Sequence, residues 1–378
     1  NKLKKIAIFI THSLGELDII LPLCAALKSK KKIKIEIFFV VDSFYRDFQK
    51  NDFYMYCIRY LNIKIHKFTM YSKFNVRNKK IFKYKVIRIF SKLYFILKSY
   101  FLLNHLISSD VYMHETSSQK DITNILYIFS RLFRKKIFVY HHGQSINRTD
   151  KGLSKVYLAE KKLFLLFHQE CKEWAKGRGY INQHNIGLPV FYNEWHSLIN
   201  KYFDSQSFGE KHILIFSRGV HKHYMDEDKY IKLLSTSYLK IRKVFGNTKI
   251  VIRIHPREDT NLINKIIFDY KMTNIYISNE YSGLLSLNSI CVISFWTSAI
   301  LISLSLKIPS IEYYIEAKNF RSIEYPNGSE YNDPIFGIET TNNPVLLENF
   351  LYRVKSKKSF NFNKTIDYLN NQSLECFN

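Results

Sequence analysis

The sequence predicts an α/β fold with two Rossmann-like domains that face a cleft. Short apolar runs of strand character alternate with amphipathic helical stretches in both halves of the chain, which is typical of parallel sheets covered by helices. The length of 378 residues suits two domains, because single hydrophobic cores rarely grow beyond about 250–300 residues. A polar stretch without strand character separates the two halves.

The first half begins with an apolar strand and continues as a strand–helix alternation. The stretch 16–28 predicts a helix, because its apolar residues recur on one face. The predicted strands are 6–10, 33–41, 111–113, 136–140 and 164–169. We assign residues 1–192 to an N-terminal domain and 193–210 to a linker.

The second half repeats the alternation. The stretch 230–245 predicts a helix that connects its first two strands. The predicted strands are 213–216, 249–254, 274–277, 290–293 and 310–313. We assign residues 211–345 to a C-terminal domain and 346–378 to a helical tail.

The net charge is the most unusual property of the composition. Lysine and arginine outnumber aspartate and glutamate by 57 to 32, which gives a formal charge of +25. This excess favours an anionic partner, whereas an AT-rich coding sequence would explain it without a function. Nucleic acid is not expected as the partner, because RNP-like and helix-turn-helix signatures are missing.

The segment Lys79–His105 combines cations with aromatic residues. Helical spacing puts many of its aromatic side chains on one side and its cations on the other, as in helices that lie in a membrane interface. The alternative is a helix that packs its aromatic face on the core and leaves its basic face in solvent. From the membrane interpretation we predict peripheral contact with an anionic bilayer.

Cysteine usage and hydropathy indicate the compartment. The five cysteines are scattered without a Cys-x-x-Cys pair, which argues against a zinc knuckle and a disulfide framework. No stretch approaches the ~18 apolar residues that a membrane span needs. The apolar run at the N-terminus is too short for a secretory signal and reads better as a strand. We therefore expect a cytoplasmic protein at the inner face of the plasma membrane.

The loop after the first strand, Thr11-His-Ser-Leu-Gly-Glu-Leu-Asp18, carries the first group of candidate residues. We expect Gly15 to permit a tight turn and Glu16 to face the cleft from the first helical turn. A carboxylate there either caps the helix or takes a proton from a substrate hydroxyl as a general base. Asp18 is the second candidate base, about 200° away around the helix. Ser13, Gly15 and Asp18 are predicted to contact the hydroxyl-bearing substrate.

Two strand ends in the second half form the second group. Arg253-Ile-His-Pro256 ends one buried strand, and a second buried strand ends at Ser294 before a Thr-Ser pair opens a helix. Ligands bind outside the carboxyl ends of strands in open α/β sheets, and helix N-termini there hold phosphate. The alternative is that these residues only terminate a strand and cap a helix. The predicted donor-binding residues are Arg218, Arg253, His255, Pro256, Ser294, Thr297 and Ser298.

Both groups resemble known families. The run Ser13-Leu-Gly-Glu16 resembles the Ser-x-Gly-Glu element of the Kdo transferases of lipid A assembly, whose glutamate is regarded as the catalytic base. The second group resembles the C-terminal domains of capsule-type Kdo transferases, bacterial sialyltransferases and CDP-glycerol polymerases. This resemblance implies the two-domain GT-B glycosyltransferase fold and a tail that packs back on the first domain. It also implies that His255, Thr297 and Ser298 bind the donor phosphate while Arg253 neutralises charge.

A histidine pair after the strand 136–140 gives an alternative. His141-His142-Gly-Gln144 resembles the Trp-His-Gly-Thr stretch of CDP-glycerol polymerases, which implies a catalytic role for His142, although Trp and Thr are replaced here. This pair and the separate pattern His221-Lys-His223 lack the further ligands that a zinc site needs. A CDP-glycerol- or ribitol-type phosphotransferase therefore remains an alternative.

These observations favour an inverting glycosyltransferase of bacterial surface polysaccharide assembly. It would move a sugar acid from a CMP-activated donor to a glycan or glycolipid acceptor, with no cofactor and no metal. Cationic side chains and helix dipoles would stabilise the leaving phosphate. The sequence lacks a P-loop, a GxGxxG after a strand and a GxSxG elbow, which argues against kinase, dehydrogenase and hydrolase activities. A non-enzymatic basic membrane-binding module is the remaining alternative.

Overall fold

A computed structural model of the chain describes residues 4–30, 32–71, 100, 102–116, 120–140, 163–167, 182–220, 225–255, 258–295, 297–315 and 338–362. The chain divides into one compact unit that ends at Glu194 and a second that begins at Trp195. The predicted site residues His142 and Pro256 lie outside the described residues, as does most of Lys79–His105.

The first unit is built on a seven-stranded sheet in which every strand pair is parallel. In chain order its strands are β1 (Lys4–Ile10), β2 (Ile33–Val41), β3 (Lys64–Tyr71), β4 (Val111–Glu115), β5 (Lys136–Tyr140), β6 (Leu163–Phe167) and β7 (Asn182–Asn185). The spatial order is β3-β2-β1-β4-β5-β6-β7. The order reverses direction between β1 and β4, so the fold predicts a ligand site beside these two strands.

Five helices lie between these strands among the residues that the structure describes. They are α1 (Leu17–Lys30), α2 (Asp42–Gln49), α3 (Asp52–Tyr60), α4 (102–108) and α5 (Lys120–Phe133). Helix α1 is buried continuously from Ile19 to Leu27, which explains its lack of a polar face. Helix α3 begins where the Asn51 side chain accepts the Tyr54 N–H, a standard N-cap.

The second unit has a six-stranded parallel sheet. Its strands are β8 (His212–Phe216), β9 (Ile250–Arg253), β10 (Ile275–Ser278), β11 (Ser289–Ser294), β12 (Ser310–Tyr313) and β13 (Glu339–Thr341), in the spatial order β10-β9-β8-β11-β12-β13. Its helices are α6 (Asn193–Asp204), α7 (Glu227–Phe245), α8 (Thr260–Asp269), α9 (Ser282–Leu287), α10 (Ile300–Ser305) and α11 (Pro344–Lys355). The order of these strands reverses between β8 and β11.

The region predicted as a linker differs in the structure. Residues 193–204 form helix α6, in which Trp195, Leu198 and Ile199 are buried. The spacing i, i+3, i+4 places these three side chains on one helical face. Polar residues lie between them in the sequence, so the apolar face was not predicted. The Trp195 indole donates a hydrogen bond to the Tyr281 hydroxyl at 3.1 Å, which attaches the helix to the second unit.

The described part of the predicted tail packs on the second unit. Helix α11 buries Leu347, Phe350 and Leu351 in the same core as helix α7. Glu348 adds ion pairs to Lys240 and Lys243 of α7. Residues 363–378, for which packing on the first domain was expected, lie outside the described residues.

Three edge strands were not predicted from the sequence, because none of them contains a continuous apolar run. The sequences of β3 (KIHKFTMY), β7 (NQHN) and β13 (ETT) lack a buried apolar run. Strands at a sheet edge expose one side to solvent and tolerate such composition. Within the described residues, no helix is both long and apolar enough to cross a bilayer.

Candidate active site

In the first unit, the carboxylate of Glu16 is held by the backbone that follows β1. Residues 14–16 form a single 3-10 turn, and Oε1 of Glu16 accepts the N–H groups of Thr11 at 2.8 Å, His12 at 2.5 Å and Ser13 at 3.1 Å. The side chain thus turns back onto its own loop, in the manner of the glutamate of a capping box. Only 3% of the residue is exposed.

Two further groups from neighbouring strand ends face Glu16. The Tyr140 hydroxyl, at the end of β5, donates to Oε2 of Glu16 at 2.7 Å. The fully buried Glu115, at the end of β4, lies opposite Tyr140 in the sheet register and repels the Glu16 carboxylate. Glu16, Glu115 and Tyr140 therefore gather at the carboxyl ends of β1, β4 and β5, where the strand order of this sheet reverses.

Burial dominates the electrostatics of this group. Loss of solvent and the charge of Glu115 raise the pKa of Glu16 to about 7, against the opposing hydrogen bonds from His12, Tyr140 and Ser13. Burial, followed by the two carboxylates, keeps the pKa of Tyr140 well above its ordinary value, so the phenol stays protonated and donates. A carboxylate that titrates near neutrality is suited to accept a proton from a hydroxyl.

The other predicted residues of this loop have structural contacts of their own. Ser13 contributes its N–H to Glu16, and Asp18 accepts the Tyr54 hydroxyl at 2.7 Å. Gly15 does not adopt a left-handed conformation, and a Cβ there would meet its nearest atom at an ordinary 3.4 Å. The chain does turn tightly at residues 14–16, but a 3-10 turn has backbone angles that any residue adopts, so the turn does not depend on the glycine.

In the second unit, Glu258 links the loops that follow β8 and β9. Its Oε1 accepts the hydroxyls of Ser217 and Tyr230, the latter at 2.5 Å, and its Oε2 accepts the His255 N–H at 2.9 Å. The hydroxyl oxygens of Ser217 and Tyr230 lie 2.8 Å apart. Because Ser217 follows β8 and His255 follows β9, the one carboxylate sets the relative position of both strand ends.

Gly219 allows this arrangement. It has φ +73°, and a Cβ at this position would lie 2.6 Å from Cγ of Glu258. A side chain here would meet both backbone strain and a clash. Arg218, directly before it, is half-buried beside the same loop end.

The remaining predicted donor residues lie at neighbouring strand ends. Phe216 at the end of β8 pairs with Arg253 of β9 on one side and Ser294 of β11 on the other. The loops that carry His255 and Thr297 therefore leave the sheet at the same edge, on either side of β8. In the strand order of the sheet, β9 and β11 flank β8.

Hydroxyl groups after β11 make local contacts. Ser294 is fully buried and donates to the Thr297 carbonyl at 3.2 Å. Thr297 accepts the Ala299 N–H through Oγ1 at 3.3 Å, while Ser298 is half-buried. The alternative in which Thr297 and Ser298 cap the helix is not what the structure shows, because helix α10 has Ala299 as its N-cap residue and no side-chain cap hydrogen bond. Ser298 is the least buried of the three hydroxyl residues.

Sequence reasoning missed several members of both groups. Tyr140 is the last residue of a predicted strand and Glu115 lies two residues beyond another, so their position near the carboxyl edge was the available signal. Glu258 follows the Arg-Ile-His-Pro motif by two residues, so the sequence itself places it close to His255. Ser217 and Tyr230 bond to it across a larger separation that the sequence does not show.

One Asp-x-Asp sequence occurs among the described residues. Asp226-Glu-Asp228 has the spacing of the metal-binding pair found in one major glycosyltransferase fold, but Asp226 caps helix α7 by accepting the Lys229 N–H at 2.9 Å. Asp228 is exposed in the first turn of the same helix. Both residues therefore have the placement of helix-start carboxylates, which the helix dipole stabilises.

Comparison with known proteins supports the fold. No family model matches the chain, and no curated protein matches it in sequence. A glycosyltransferase from Rickettsia africae superposes with a TM-score of 0.50 at 16% identity, covering 99% of this chain and 96% of that one. A UDP-GlcNAc 2-epimerase from Methanocaldococcus jannaschii gives 0.51 at 12% identity, covering 98% and 94%. The chain has the GT-B fold predicted from its sequence.

Proposed function

We propose that this chain is an inverting glycosyltransferase that uses a nucleotide-activated sugar. The observation that carries the proposal is Glu16, a buried carboxylate at the reversal point of the first sheet whose pKa is raised to about 7. The four-residue run Ser13-Leu-Gly-Glu16 resembles the Ser-x-Gly-Glu element, and the fold likeness includes a glycosyltransferase. The second unit supplies a separate cluster of cationic and hydroxyl side chains at its own carboxyl edge.

In the proposed reaction, Glu16 takes the proton of the acceptor hydroxyl. The acceptor oxygen forms a bond to the anomeric carbon as the bond from that carbon to the donor phosphate breaks, and the nucleotide leaves with the electron pair. Attack opposite the leaving group inverts the anomeric centre. Oε2 is the oxygen that fits this role, because Oε1 already accepts three N–H groups while Oε2 accepts the Tyr140 hydroxyl.

The leaving nucleotide requires charge stabilisation in the second unit. Arg253 and Arg218 provide guanidinium groups, and His255 and Ser298 provide further donors, at the ends of strands around β8. His255→Ala is expected to weaken nucleotide affinity about tenfold, since a lost hydrogen bond to a charged group costs about 1.5–3 kcal/mol. His196→Ala, which removes a half-buried histidine bonded to Ser305, is the matched control. Equal affinities for both variants would contradict the role of His255.

The sequence motifs favour a CMP-activated sugar acid as donor, such as Kdo or a sialic-acid relative. A solved structure of the M. jannaschii 2-epimerase, with a TM-score of 0.50 at 14% identity, contains UDP-GlcNAc and UDP. Calorimetric titration with CMP, CDP, UDP and GDP decides between these donors. Selective CMP binding would support the sugar-acid donor, and a UDP preference would replace it with a UDP-hexose. A CDP preference would favour glycerol or ribitol phosphate transfer, with His142 as the base.

Epimerisation is the second candidate function, because the likeness to UDP-GlcNAc 2-epimerases extends over 98% of the chain. The two activities differ in what they require. An epimerase converts the nucleotide sugar without any acceptor, whereas a transferase releases free nucleotide in proportion to added acceptor. Incubation with UDP-GlcNAc alone, followed by sugar analysis, distinguishes them.

The proposed chemistry at these two edges needs no metal, because cationic side chains would neutralise the leaving phosphate. We expect full turnover in excess EDTA. Loss of activity that magnesium restores would contradict this part of the proposal.

The proposed acceptor is a glycan or glycolipid of the bacterial surface, bound by the first unit. We propose that the chain works in the cytoplasm, in peripheral contact with the inner face of the plasma membrane. The support is the charge of +25 and the basic aromatic composition of Lys79–His105. An anionic acceptor would be attracted by the same charge.

A further inference from the structure

A second cluster of ionisable side chains lies in the first unit, away from Glu16. Glu36 of β2, His66 of β3 and His105 of α4 place a carboxylate oxygen and two ring nitrogens within 4.8 Å of one another. Glu36 is an unusual strand residue, since it is only 6% exposed. Buried carboxylates are normally paired or bound to metal, so this group calls for an explanation.

The two oxygens of Glu36 have different neighbours. Oε1 lies 3.1 Å from the ammonium of Lys5, which also donates to Ser108. Oε2 lies 2.8 Å from Nδ1 of His105 and 3.3 Å from Nε2 of His66. Nε2 of His66 is buried and makes no hydrogen bond with the described residues, although it is directed at Oε2. The Lys5 ammonium therefore pairs with Oε1 of Glu36, and the imidazoles of His66 and His105 both approach Oε2.

We propose that Oε2 of Glu36, Nε2 of His66 and Nδ1 of His105 bind a divalent transition metal such as zinc. Ligand bonds of about 2.0–2.2 Å in a tetrahedron separate the ligand atoms by roughly 3.3 Å. The observed separations from Oε2, 2.8 Å and 3.3 Å, lie close to this value. Imidazole and carboxylate are the ligand types that zinc accepts. The side chains of His66 and His105 are 28% and 35% exposed, so the cluster lies near the protein surface.

Neighbouring groups hold the three ligands in place. Phe38 stacks on the His66 ring at 4.6 Å between ring centres and meets the His105 ring edge-on at 5.5 Å. Lys5 fixes the carboxylate through the oxygen that faces away from the histidines. Outer partners of this kind orient metal ligands and are nearly as important as the ligands themselves.

The position of the cluster indicates a structural role. Phe39 of β2 pairs with Ile10 at the carboxyl end of β1, and Glu36 lies three residues earlier, or roughly 10 Å back along the strand. The cluster is therefore separate from the edge that carries Glu16. His66 and His105 stand on either side of residues 72–99 in the chain. A bound ion would tie β3 to α4 and fix both ends of that segment.

Metal titration of the untagged full chain tests this proposal. After dialysis against EDTA and removal of the chelator, Zn²⁺ is expected to bind with one ion per chain in calorimetry. Zn²⁺ is also expected to raise the melting temperature, because an ion that binds only the folded state stabilises it. Co²⁺ is expected to give the absorption spectrum of a four-coordinate nitrogen and oxygen site.

Three variants locate the site. His66→Ala, His105→Ala and Glu36→Gln should each weaken Zn²⁺ binding by at least about tenfold. Mutation of a residue that only orients a metal ligand already lowers metal affinity by about 10- to 100-fold. His184→Ala, which removes a half-buried histidine of β7, should bind as the unaltered chain does. Circular dichroism in EDTA checks that each variant folds. If the alanine variants fail to fold, Glu36→Gln still tests the site, because it keeps the size of the side chain.

Two results would overturn the proposal. One is a stripped chain that binds neither Zn²⁺ nor Co²⁺ in the micromolar range. The other is binding that survives in the His66→Ala/His105→Ala double variant, which would place the ion on other surface histidines. Turnover in EDTA, measured well below the melting temperature, is expected to stay unchanged, so this test is independent of the proposed catalytic function.

Discussion

At the scale of single residues, Glu16 combines two effects that oppose each other. Three N–H groups and a phenol favour its ionised form, whereas burial and Glu115 favour its protonated form. The net pKa of about 7 is the compromise. We expect kcat/KM to rise with pH and to level off above an apparent pKa of about 7, because only the ionised carboxylate accepts a proton. A pH profile measured with saturating donor checks this, and a rate independent of pH from 5 to 9 would contradict it.

Glu16→Gln separates catalysis from structure at the same position. The amide keeps the size of the side chain and an oxygen for the loop N–H groups, but it cannot take a proton. Turnover is expected to fall by about 10²–10⁴, the usual contribution of a general base, while calorimetric nucleotide affinity stays unchanged. A variant with near-normal turnover would leave Glu16 as a capping residue only.

The same variant makes a prediction about stability. The pKa of Glu16 is raised in the folded state, so its contribution to stability is fully present below the ordinary value of 4.5 and is lost as pH rises through about 7. Glu16→Gln cannot ionise, and its free energy of unfolding should therefore fall less between pH 4.5 and pH 8. Denaturant unfolding at several pH values measures how the free energy of unfolding of each protein changes with pH. Parallel slopes for both proteins would contradict the raised pKa.

Tyr140→Phe tests the partner of Glu16. The Tyr140 hydroxyl lowers the pKa of Glu16, so its removal should move the pH–rate profile to higher pH by about 0.5–1 unit, the effect of roughly 1 kcal/mol. Turnover lost at pH 7 should return at pH 9. Tyr112→Phe is the matched control, because that buried hydroxyl donates to the Leu106 carbonyl instead. A shift of equal size in both variants would contradict the assignment.

At the scale of elements, the loop after β8 depends on Gly219. Gly219→Ala would force a Cβ to within 2.6 Å of Glu258 and strain a backbone at φ +73°. The expected cost is about 1–3 kcal/mol of unfolding free energy, with weaker nucleotide binding as Glu258 moves. Gly209→Ala is the control, since nothing lies within 4 Å of its added Cβ and its φ is ordinary. Thermal unfolding and calorimetry of both variants check the prediction.

The strands and helices that could be predicted from the sequence are those in which the hydrophobic pattern is clear. The strands 33–41, 136–140 and 310–313 were predicted with the bounds that the structure shows, because each is an apolar run between polar residues. Helix α6 and strand β7 were missed, since the buried stripe of the first is short and the second is polar throughout. The network around Glu258 depends on contacts across 28 and 41 positions, which no local pattern encodes.

At the scale of the whole molecule, the charge of +25 predicts salt-sensitive binding to anionic surfaces. The chain should sediment with vesicles that contain anionic lipid and should be released as salt rises from about 0.05 to 0.5 M, because the Debye length shrinks below ~10 Å above 0.1 M. The double variant Lys80→Glu/Lys83→Glu should bind more weakly than Lys232→Glu/Lys265→Glu, which changes two exposed lysines of α7 and α8. Equal losses would indicate that net charge acts without a dedicated surface.

The late position of α11 has a consequence for biosynthesis. This helix completes the core around α7, although about a hundred residues separate the two in the chain. Domains generally fold as units during translation, the N-terminal one first. The first unit can complete its sheet while the rest is being made, but the second retains an exposed apolar surface on α7 until residue 355 has emerged from the ribosome. The interval before α11 arrives is therefore when a nascent chain has most need of a chaperone.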